Sequence, residues 1–100
     1  MKKVARTNPT SCPITEVARL LSDTWTMLIL HYLGEGPKRF CELELALGGI
    51  STRTLTLKLI KLIQDGMVIK TEAGVYATTK KGKGIKLIEQ AMKKYQEKYL

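Results

Sequence analysis

The chain of 100 residues has little of what metal centres and active sites are built from. It contains two cysteines, Cys12 and Cys41, and one histidine, His31. A structural zinc site needs four ligands, commonly in CxxC pairs, so a zinc finger is not expected. The sequence also lacks a glycine-rich phosphate loop, a GxSxG motif and clustered carboxylates. We therefore expect no enzyme, metal or cofactor, and we interpret His31 as a packed or hydrogen-bonded residue.

Long hydrophobic runs are missing as well. The longest uncharged apolar stretch, residues 25–30, is interrupted by Thr26, whereas a membrane span needs about 20 apolar residues. A signal peptide would need an apolar core soon after Lys2 and Lys3, and the residues that follow them offer none. We expect a cytoplasmic protein without a membrane span.

Acidic residues are scarce relative to basic ones. The chain contains nine Asp and Glu and 17 Lys and Arg, so its formal charge is +8. The excess lies in residues 1–10, 51–72 and 80–100, with a nearly neutral core between them. A basic surface attracts phosphates, so nucleic acid is the first candidate partner, although the last lysine-rich segment could simply solvate a helix. A chain of this length supports one domain with one hydrophobic core.

Apolar periodicity begins only after the first eleven residues. Residues 1–11 mix basic and turn-forming side chains, which predicts a flexible basic arm, and residues 12–100 form the domain. Pro13 suits the first turn of a helix that runs to about Ser22. Asp23 is a good N-cap for a second helix, which carries apolar residues on nearly every side and should be buried nearly all round.

Two further helices are predicted on either side of a glycine turn. They cover Phe40–Leu47 and Thr52–Gln64, with Gly48 and Gly49 ending the first and Ser51 capping the second. Two helices joined by a tight turn that contains glycine are typical of a helix-turn-helix unit.

The second helix of this unit has two distinct faces. At about 100° per residue, Leu55, Leu59 and Leu62 point into the core. The residues on the other side are Arg53, Leu57, Ile60, Lys61 and Gln64. The outer face is therefore available for recognition.

A hairpin and a long helix complete the domain. Runs of β-prone residues at 67–71 and 75–78 flank a turn at 72–74, which predicts a wing. Thr79 caps the last helix, along which apolar residues alternate steps of three and four, as in a coiled-coil seam. These residues are Ile85, Ile88, Met92, Tyr95 and Tyr99. The expected fold is α+β, mainly α: a winged helix-turn-helix with a C-terminal dimerisation helix.

From Cys12 to about Leu87, the sequence resembles the HxlR branch of the MarR-like winged-helix transcription regulators. The motifs that carry the resemblance are Cys-Pro-Ile at 12–14, Trp-Thr at 25–26, Gly-Pro-Lys-Arg-Phe at 36–40, Glu-Leu at 42–43, Gly-Ile-Ser at 49–51 and Thr-Leu at 54–55, followed by Leu59, Leu62 and Gly66. The resemblance implies a homodimer that binds a palindromic operator in double-stranded DNA. It also implies that the N-terminal and C-terminal helices form the dimer contact.

The resemblance assigns roles to individual residues. It places Ser51, Thr52, Arg53, Thr56 and Lys58 at or near the DNA groove, Lys38 and Arg39 near the DNA backbone, and residues 70–76, beginning with Lys70, in the wing. The exposed face described above adds Leu57, Ile60 and Lys61 to this set. The sequence thus predicts a sequence-specific DNA-binding transcriptional regulator.

Three features depart from the family pattern. The wing turn is short, which weakens the expectation of a minor-groove contact. Leu57 and Ile60 stand where relatives carry polar residues, so they contact thymine methyls, form a protein-binding patch or lie under a partner's arm. The second option defines an alternative function, a protein interaction module with weak or lost DNA binding. Cys41 is also atypical, and we expect it to fill space as a small hydrophobic residue.

Cys12 has two interpretations. In several similar proteins the cysteine of Cys-Pro-Ile senses oxidants or electrophiles, and a helix N-terminus stabilises a thiolate. Cys12 is thus the candidate site for an oxidant or small-molecule effector. The alternative is a buried or inert thiol.

Overall fold

The structure, a computed structural model, describes residues 12–21 and 23–100. The expected basic arm at 1–11 and the expected helix end at Ser22 lie outside these residues. In chain order the elements are α1 (Pro13–Leu20), α2 (Thr24–Leu33), β1 (Lys38–Arg39), α3 (Phe40–Leu47), α4 (Thr52–Gln64), β2 (Val68–Lys70), β3 (Val75–Thr78), α5 (Lys80–Lys83) and α6 (Ile85–Tyr99).

Three helix starts are fixed by the side chains that the sequence predicts as caps. The Asp23 carboxylate accepts a hydrogen bond from the Thr26 N–H at 2.8 Å. Ser51 accepts one from the Thr54 N–H at 3.0 Å, and Thr79 accepts one in the same way at the start of α5. Each cap satisfies an N–H group that has no partner within its own helix.

The core lies between α2, the inner face of α4 and the sheet. Its fully buried large side chains are Ile29, Leu30, Leu33, Leu43, Leu55, Leu59, Leu62 and Val68. The inner face of α4 is therefore as predicted. Helix α2 is less buried than predicted, because only four of its ten residues are buried. His31 on it is exposed and lies 3.1 Å from the Glu89 carboxylate of α6 through its Nδ1 atom. His31 is thus a hydrogen-bonded residue.

The three strands form one antiparallel sheet in the order β1-β3-β2. Lys38 pairs with Tyr76, and Val68 pairs with Thr78. The predicted hairpin is confirmed, with β2 shorter than expected, and β1 at Lys38 and Arg39 adds a third strand to it. The fold is a winged helix-turn-helix.

The last helix is not continuous, contrary to our expectation. Residues 80–83 form the short α5, and Gly84, whose N–H bonds to the Lys81 carbonyl three residues back, separates it from α6. Gly82 and Gly84 follow the Thr79 cap closely and weaken the helix locally, because glycine loses more backbone entropy than other residues on entering a helix. The Thr79 N–H and hydroxyl also bond to the carbonyl oxygens of Met67 and Gly66, which anchors this turn to the end of α4.

The expectation that Cys41 fills space as a small hydrophobic residue is wrong. Its side chain is exposed, because α3 turns Leu43 and Leu47 toward the core and leaves position 41 on the outside. Cys41 is not a filler of the interior.

Gly82 should be intolerant of even the smallest side chain. A Cβ atom there would overlap the Met67 carbonyl oxygen, which is part of the backbone and cannot easily move away. We expect Gly82→Ala to lower the free energy of unfolding by about 1–3 kcal/mol, as overpacking typically does, measured by urea denaturation. The matched control, Gly84→Ala, meets its nearest backbone atom at 3.2 Å and should remain much closer to the wild type. Equal effects at the two positions would contradict this account.

Candidate nucleic-acid interface

Helix α4 is presented by the turn that precedes it. Gly48 and Gly49 have φ angles of 42° and 93°, a region that glycine enters without steric cost. This turn reverses the chain between α3 and α4, and Ser51 then starts α4 at the surface.

The outer face of α4 is open to solvent, as predicted. Its exposed residues are Thr52, Arg53, Thr56, Leu57, Ile60, Lys61, Ile63 and Gln64. Arg53 makes no ion pair within the part of the chain that the structure describes. Its guanidinium is therefore available at the N-terminal end of the helix for an anionic or hydrogen-bonding partner.

Several polar side chains of the predicted site already have partners. Thr52 donates to the Glu44 carboxylate at 2.6 Å, and the Thr56 hydroxyl donates to the Thr52 carbonyl within α4. Lys61 pairs with Asp65 at 2.8 Å. Because these contacts are exposed, they can exchange for contacts with a ligand at small cost.

Lys58 is placed differently from the rest. Its ammonium group pairs with the Asp23 carboxylate at the start of α2, and its side chain is only 29% exposed. The structure therefore directs Lys58 away from the outer face and toward α2. Sequence reasoning missed this pair because its members are 35 positions apart and belong to different helices.

The Asp23 carboxylate has two tasks. One oxygen caps α2 and the other holds Lys58. Partial burial raises the pKa of Asp23, but the hydrogen bonds from Lys58 and Thr26 outweigh it, and the net pKa lies below the ordinary value. The carboxylate is therefore charged at neutral pH and links α2 to α4.

The wing and β1 bring further cations to the surface. Arg39 donates to the Ala73 carbonyl in the wing turn at 3.4 Å. Lys38 lies 3.9 Å from the Glu35 carboxylate. The Lys70 ammonium lies 5.5 Å from the centre of the Tyr76 ring, within cation–π distance. Lys38 and Arg39, which are predicted near the DNA backbone, and Lys70, which is predicted in the wing, thus belong to one small sheet.

Helices α1 and α6 leave a large apolar surface uncovered. No residue of α1 is buried, and Ile14 is 80% exposed. On α6, Met92, Tyr95 and Tyr99 are exposed, and Ile88 is half-buried. An open apolar cleft at their junction is lined by Pro13, Ile14, Val17, Ala18 and Ile88.

Ile85 is not available to the predicted dimer seam. Its side chain is 3% exposed and belongs to the core of the chain, because α6 begins directly against that core. The available seam therefore starts at Ile88.

Cys12 lies at the N-terminus of α1, where it is half-buried. Hydrogen bonds from the backbone and side chain of Thr15 and from the backbone of Ile14 lower the pKa of the thiol. This is the direction that the sequence predicts for a cysteine just before a helix.

Two kinds of feature do not occur in residues 12–21 and 23–100. No helix there has the length and apolar character to span a membrane. No group of three or more potential metal ligands occurs in the same residues.

Comparison with known proteins agrees with this architecture. An HTH-type transcriptional regulator of Synechocystis sp. is 44% identical over 57 residues, which cover 57% of this chain and 42% of that one. The chain thus spans less than half the length of this relative. The HTH-type transcriptional regulator YodB of Bacillus subtilis is 34% identical over 97 residues, covering 90% of this chain and 87% of YodB.

The crystal structure of quinone-bound YodB from B. subtilis superimposes with a TM-score of 0.81 at 32% identity, covering 88% of this chain and 99% of that one. The profile of the HxlR-like helix-turn-helix family matches residues 20–100. This match includes α2 to α6, and therefore both helices of the helix-turn-helix unit and the wing. The protein therefore belongs to the HxlR-like helix-turn-helix family.

Proposed function

We propose that the protein is a sequence-specific DNA-binding transcriptional regulator that acts as a homodimer on a palindromic operator. The observation that carries this proposal is the solvent-exposed outer face of α4, where Arg53 has no ion-pair partner among the described residues. A helix of this kind enters the major groove with its N-terminal residues against base edges. Relatives named HTH-type transcriptional regulators support the same role.

We assign base recognition to the outer face of α4. Arg53 is suited to a bidentate contact with guanine, and Leu57 and Ile60 to contacts with thymine methyl groups. The remaining polar residues of this surface are Ser51, Thr52, Thr56 and Lys61. Lys58 supports the helix from behind through Asp23, so we remove it from the predicted groove contacts.

We assign the phosphate contacts to the three-stranded sheet. Lys38 and Arg39 lie on one outer strand of this sheet and Lys70 on the other, with β3 between them. Cations in such positions set the register of a protein on DNA without reading its sequence. Because the turn at 71–74 is tight, we propose that the wing contacts the DNA backbone.

The apolar faces of α1 and α6 are the proposed dimer contact. One subunit leaves Ile14, Met92, Tyr95 and Tyr99 largely exposed, and a second copy would cover them. A two-fold dimer presents two α4 helices, which is the reason for expecting a palindromic operator.

A docking module is the second candidate function, and the apolar character of the α4 surface favours it. Leu57 and Ile60 are 54% and 48% exposed. A salt titration separates the two functions, because binding through phosphates weakens steeply with salt whereas an apolar contact hardly responds.

Cys12 is the proposed effector site. Its lowered pKa favours the thiolate, which is the nucleophilic form, and its place at the start of α1 would connect a modification to the dimer contact. The structural relative YodB was crystallised in a quinone-bound form, which supports an electrophile as the effector.

Arg53→Ala should reduce sequence discrimination. Loss of a bidentate base contact typically costs about 1–3 kcal/mol, so the ratio of affinities for a selected operator and random DNA should fall roughly tenfold or more. The operator is first selected from a random library with the wild type, and affinities are measured by fluorescence anisotropy. Lys93→Ala removes the same charge from an exposed position on α6 and should leave the ratio unchanged. An unchanged ratio in Arg53→Ala would remove this residue from base recognition.

Met92→Glu should produce a folded monomer. Met92 is exposed in one subunit, so folding should persist, whereas a charge buried in the dimer contact should raise the dissociation constant roughly 100-fold. Sedimentation velocity measures the mass, and circular dichroism checks helix content. Gln90→Glu adds the same charge on the opposite side of α6 and should remain dimeric. A wild type that sediments as a monomer at micromolar concentration contradicts the proposed dimer.

The Cys12 thiol should react at lower pH than an ordinary thiol. In a Cys41→Ser background, the rate of alkylation by iodoacetamide should rise with a midpoint below that of an ordinary cysteine thiol, since hydrogen bonds stabilise the thiolate and lower its pKa. Mass spectrometry follows the modification. Thr15→Val removes the side-chain hydrogen bond and should shift the midpoint upward. A midpoint that does not lie below the ordinary value in the parent protein would support the interpretation of Cys12 as an inert thiol.

A further inference from the structure

A cleft of about 290 Å³ lies at the end of β3 that is farther from the wing turn, and we call it the basal cleft. Its walls come from the end of α2 and the segment that follows it, from β3, and from α5 and α6. None of its lining residues belongs to the proposed DNA contact. The lining includes Leu33, Pro37, Ala77, Thr78, Lys83 and Lys86.

One wall of the basal cleft carries a backbone N–H group without a partner. The Thr79 N–H bonds to the Met67 carbonyl on the β2 side of β3, and consecutive residues of a strand direct their backbone groups to opposite sides. Val68 and Thr78 thus stand opposite each other without exchanging hydrogen bonds, and the Thr78 N–H points to the β1 side. On that side β1 covers β3 only as far as Tyr76. Within the part of the chain that the structure describes, the Thr78 N–H therefore has no acceptor.

The Thr78 side chain adds a second donor to the same wall. Thr78 is buried, with 9% of its surface exposed, and its hydroxyl forms no hydrogen bond to a described residue. No fully covered side-chain oxygen or nitrogen among these residues lacks a partner, so this hydroxyl must reach open space, which is the cleft that Thr78 lines. A buried N–H without an acceptor is rare, because it costs free energy until a partner accepts its hydrogen bond.

Two cations border the basal cleft. Lys83 on α5 and Lys86 near the start of α6 both line it, and neither forms an ion pair within residues 12–21 and 23–100. Glu35, the acidic residue of the lining, lies 3.9 Å from Lys38 and is balanced by it. Backbone N–H groups beside lysines are typical of phosphate sites, because an ammonium group binds phosphate as a point charge from a flexible side chain.

We propose that the basal cleft binds a small phosphate monoester. Such a ligand carries close to two negative charges at neutral pH, which the two lysines neutralise. A phosphate oxygen accepts the hydrogen bond of the Thr78 N–H, and the cleft volume is close to the lower limit for small-molecule sites. The organic group of the ligand lies against the apolar part of the lining, which consists of Leu33, Pro37 and Ala77.

The first test is calorimetric titration of the full chain with phenyl phosphate and with phenyl sulfate. The two probes have nearly the same shape, but the sulfate ester carries one negative charge where the phosphate carries close to two at neutral pH. We expect saturable binding of phenyl phosphate that is at least about tenfold tighter than that of phenyl sulfate, because the second charge strengthens the hydrogen bonds and ion pairs. Equal affinities, or no saturable binding of phenyl phosphate, would overturn the proposal.

Substitutions test the residues that hold the phosphate. Lys83→Gln and Lys86→Gln should each weaken phenyl phosphate binding roughly fivefold or more, since each removes one counter-charge. Lys93→Gln removes the same charge from an exposed position on α6 outside the cleft and should leave the affinity unchanged. Equal effects at all three positions would show a general response to net charge and would contradict a defined site.

The Thr78 N–H is tested directly by its amide resonance. A hydrogen bond to phosphate should move the Thr78 amide proton downfield and slow its exchange with solvent, whereas Val75, at the other end of β3, should not change. Thr78→Val keeps the backbone N–H and the β-branched shape, so the protein should remain folded and the amide should still respond. A constant Thr78 resonance at saturating phenyl phosphate would place the ligand elsewhere and end the proposal.

Titration in the presence of operator DNA separates the basal cleft from the proposed DNA contact. The two share no residue, so saturating DNA should leave the affinity for phenyl phosphate within about twofold. If DNA displaces phenyl phosphate, the cleft is part of the DNA contact and the proposal of a small-ligand site is wrong. If the protein binds no DNA, the proposed function fails, and the calorimetric result still decides whether the cleft is a site.

Discussion

Burial of the leucine stripe of α4 is the contact on which the rest of the structure depends. Leu55, Leu59 and Leu62 are almost completely inaccessible, and each contributes roughly 1.5–3 kcal/mol by leaving water. Because these residues recur every three or four positions, their burial also fixes the rotation of the helix about its axis. The outer face, with Arg53 at one end, is thereby determined by the packing of the inner face.

The surroundings of α4 restrict its movement at both ends. Ser51 caps its first turn, and Lys81 donates to the Asp65 carbonyl at its end. Thr79 binds the next two carbonyls along the chain, and the absence of a side chain at Gly82 lets α5 approach the same segment. A helix held in this way loses little conformational entropy when its outer face binds a partner.

The distribution of ion pairs matters more for this surface than the net charge of +8. Lys58 is the clearest example, because its half-buried pair with Asp23 connects two helices and turns it away from the outer face of α4. Arg53 and Arg19 form no such pairs within the described residues. Arg53 lies on the outer face of α4, and Arg19 lies on α1.

The sequence by itself determined the elements whose signals are local. Caps at Asp23, Ser51 and Thr79 and the leucine periodicity of α4 act over three or four residues, so they were predicted and are confirmed. Only the tertiary structure decided the break at Gly84, the burial of Ile85 and the exposure of Cys41. These depend on which surfaces meet across the fold. The Asp23–Lys58 pair has the same origin, because contacts between distant segments follow from the packing of whole helices and leave no periodic trace in the chain.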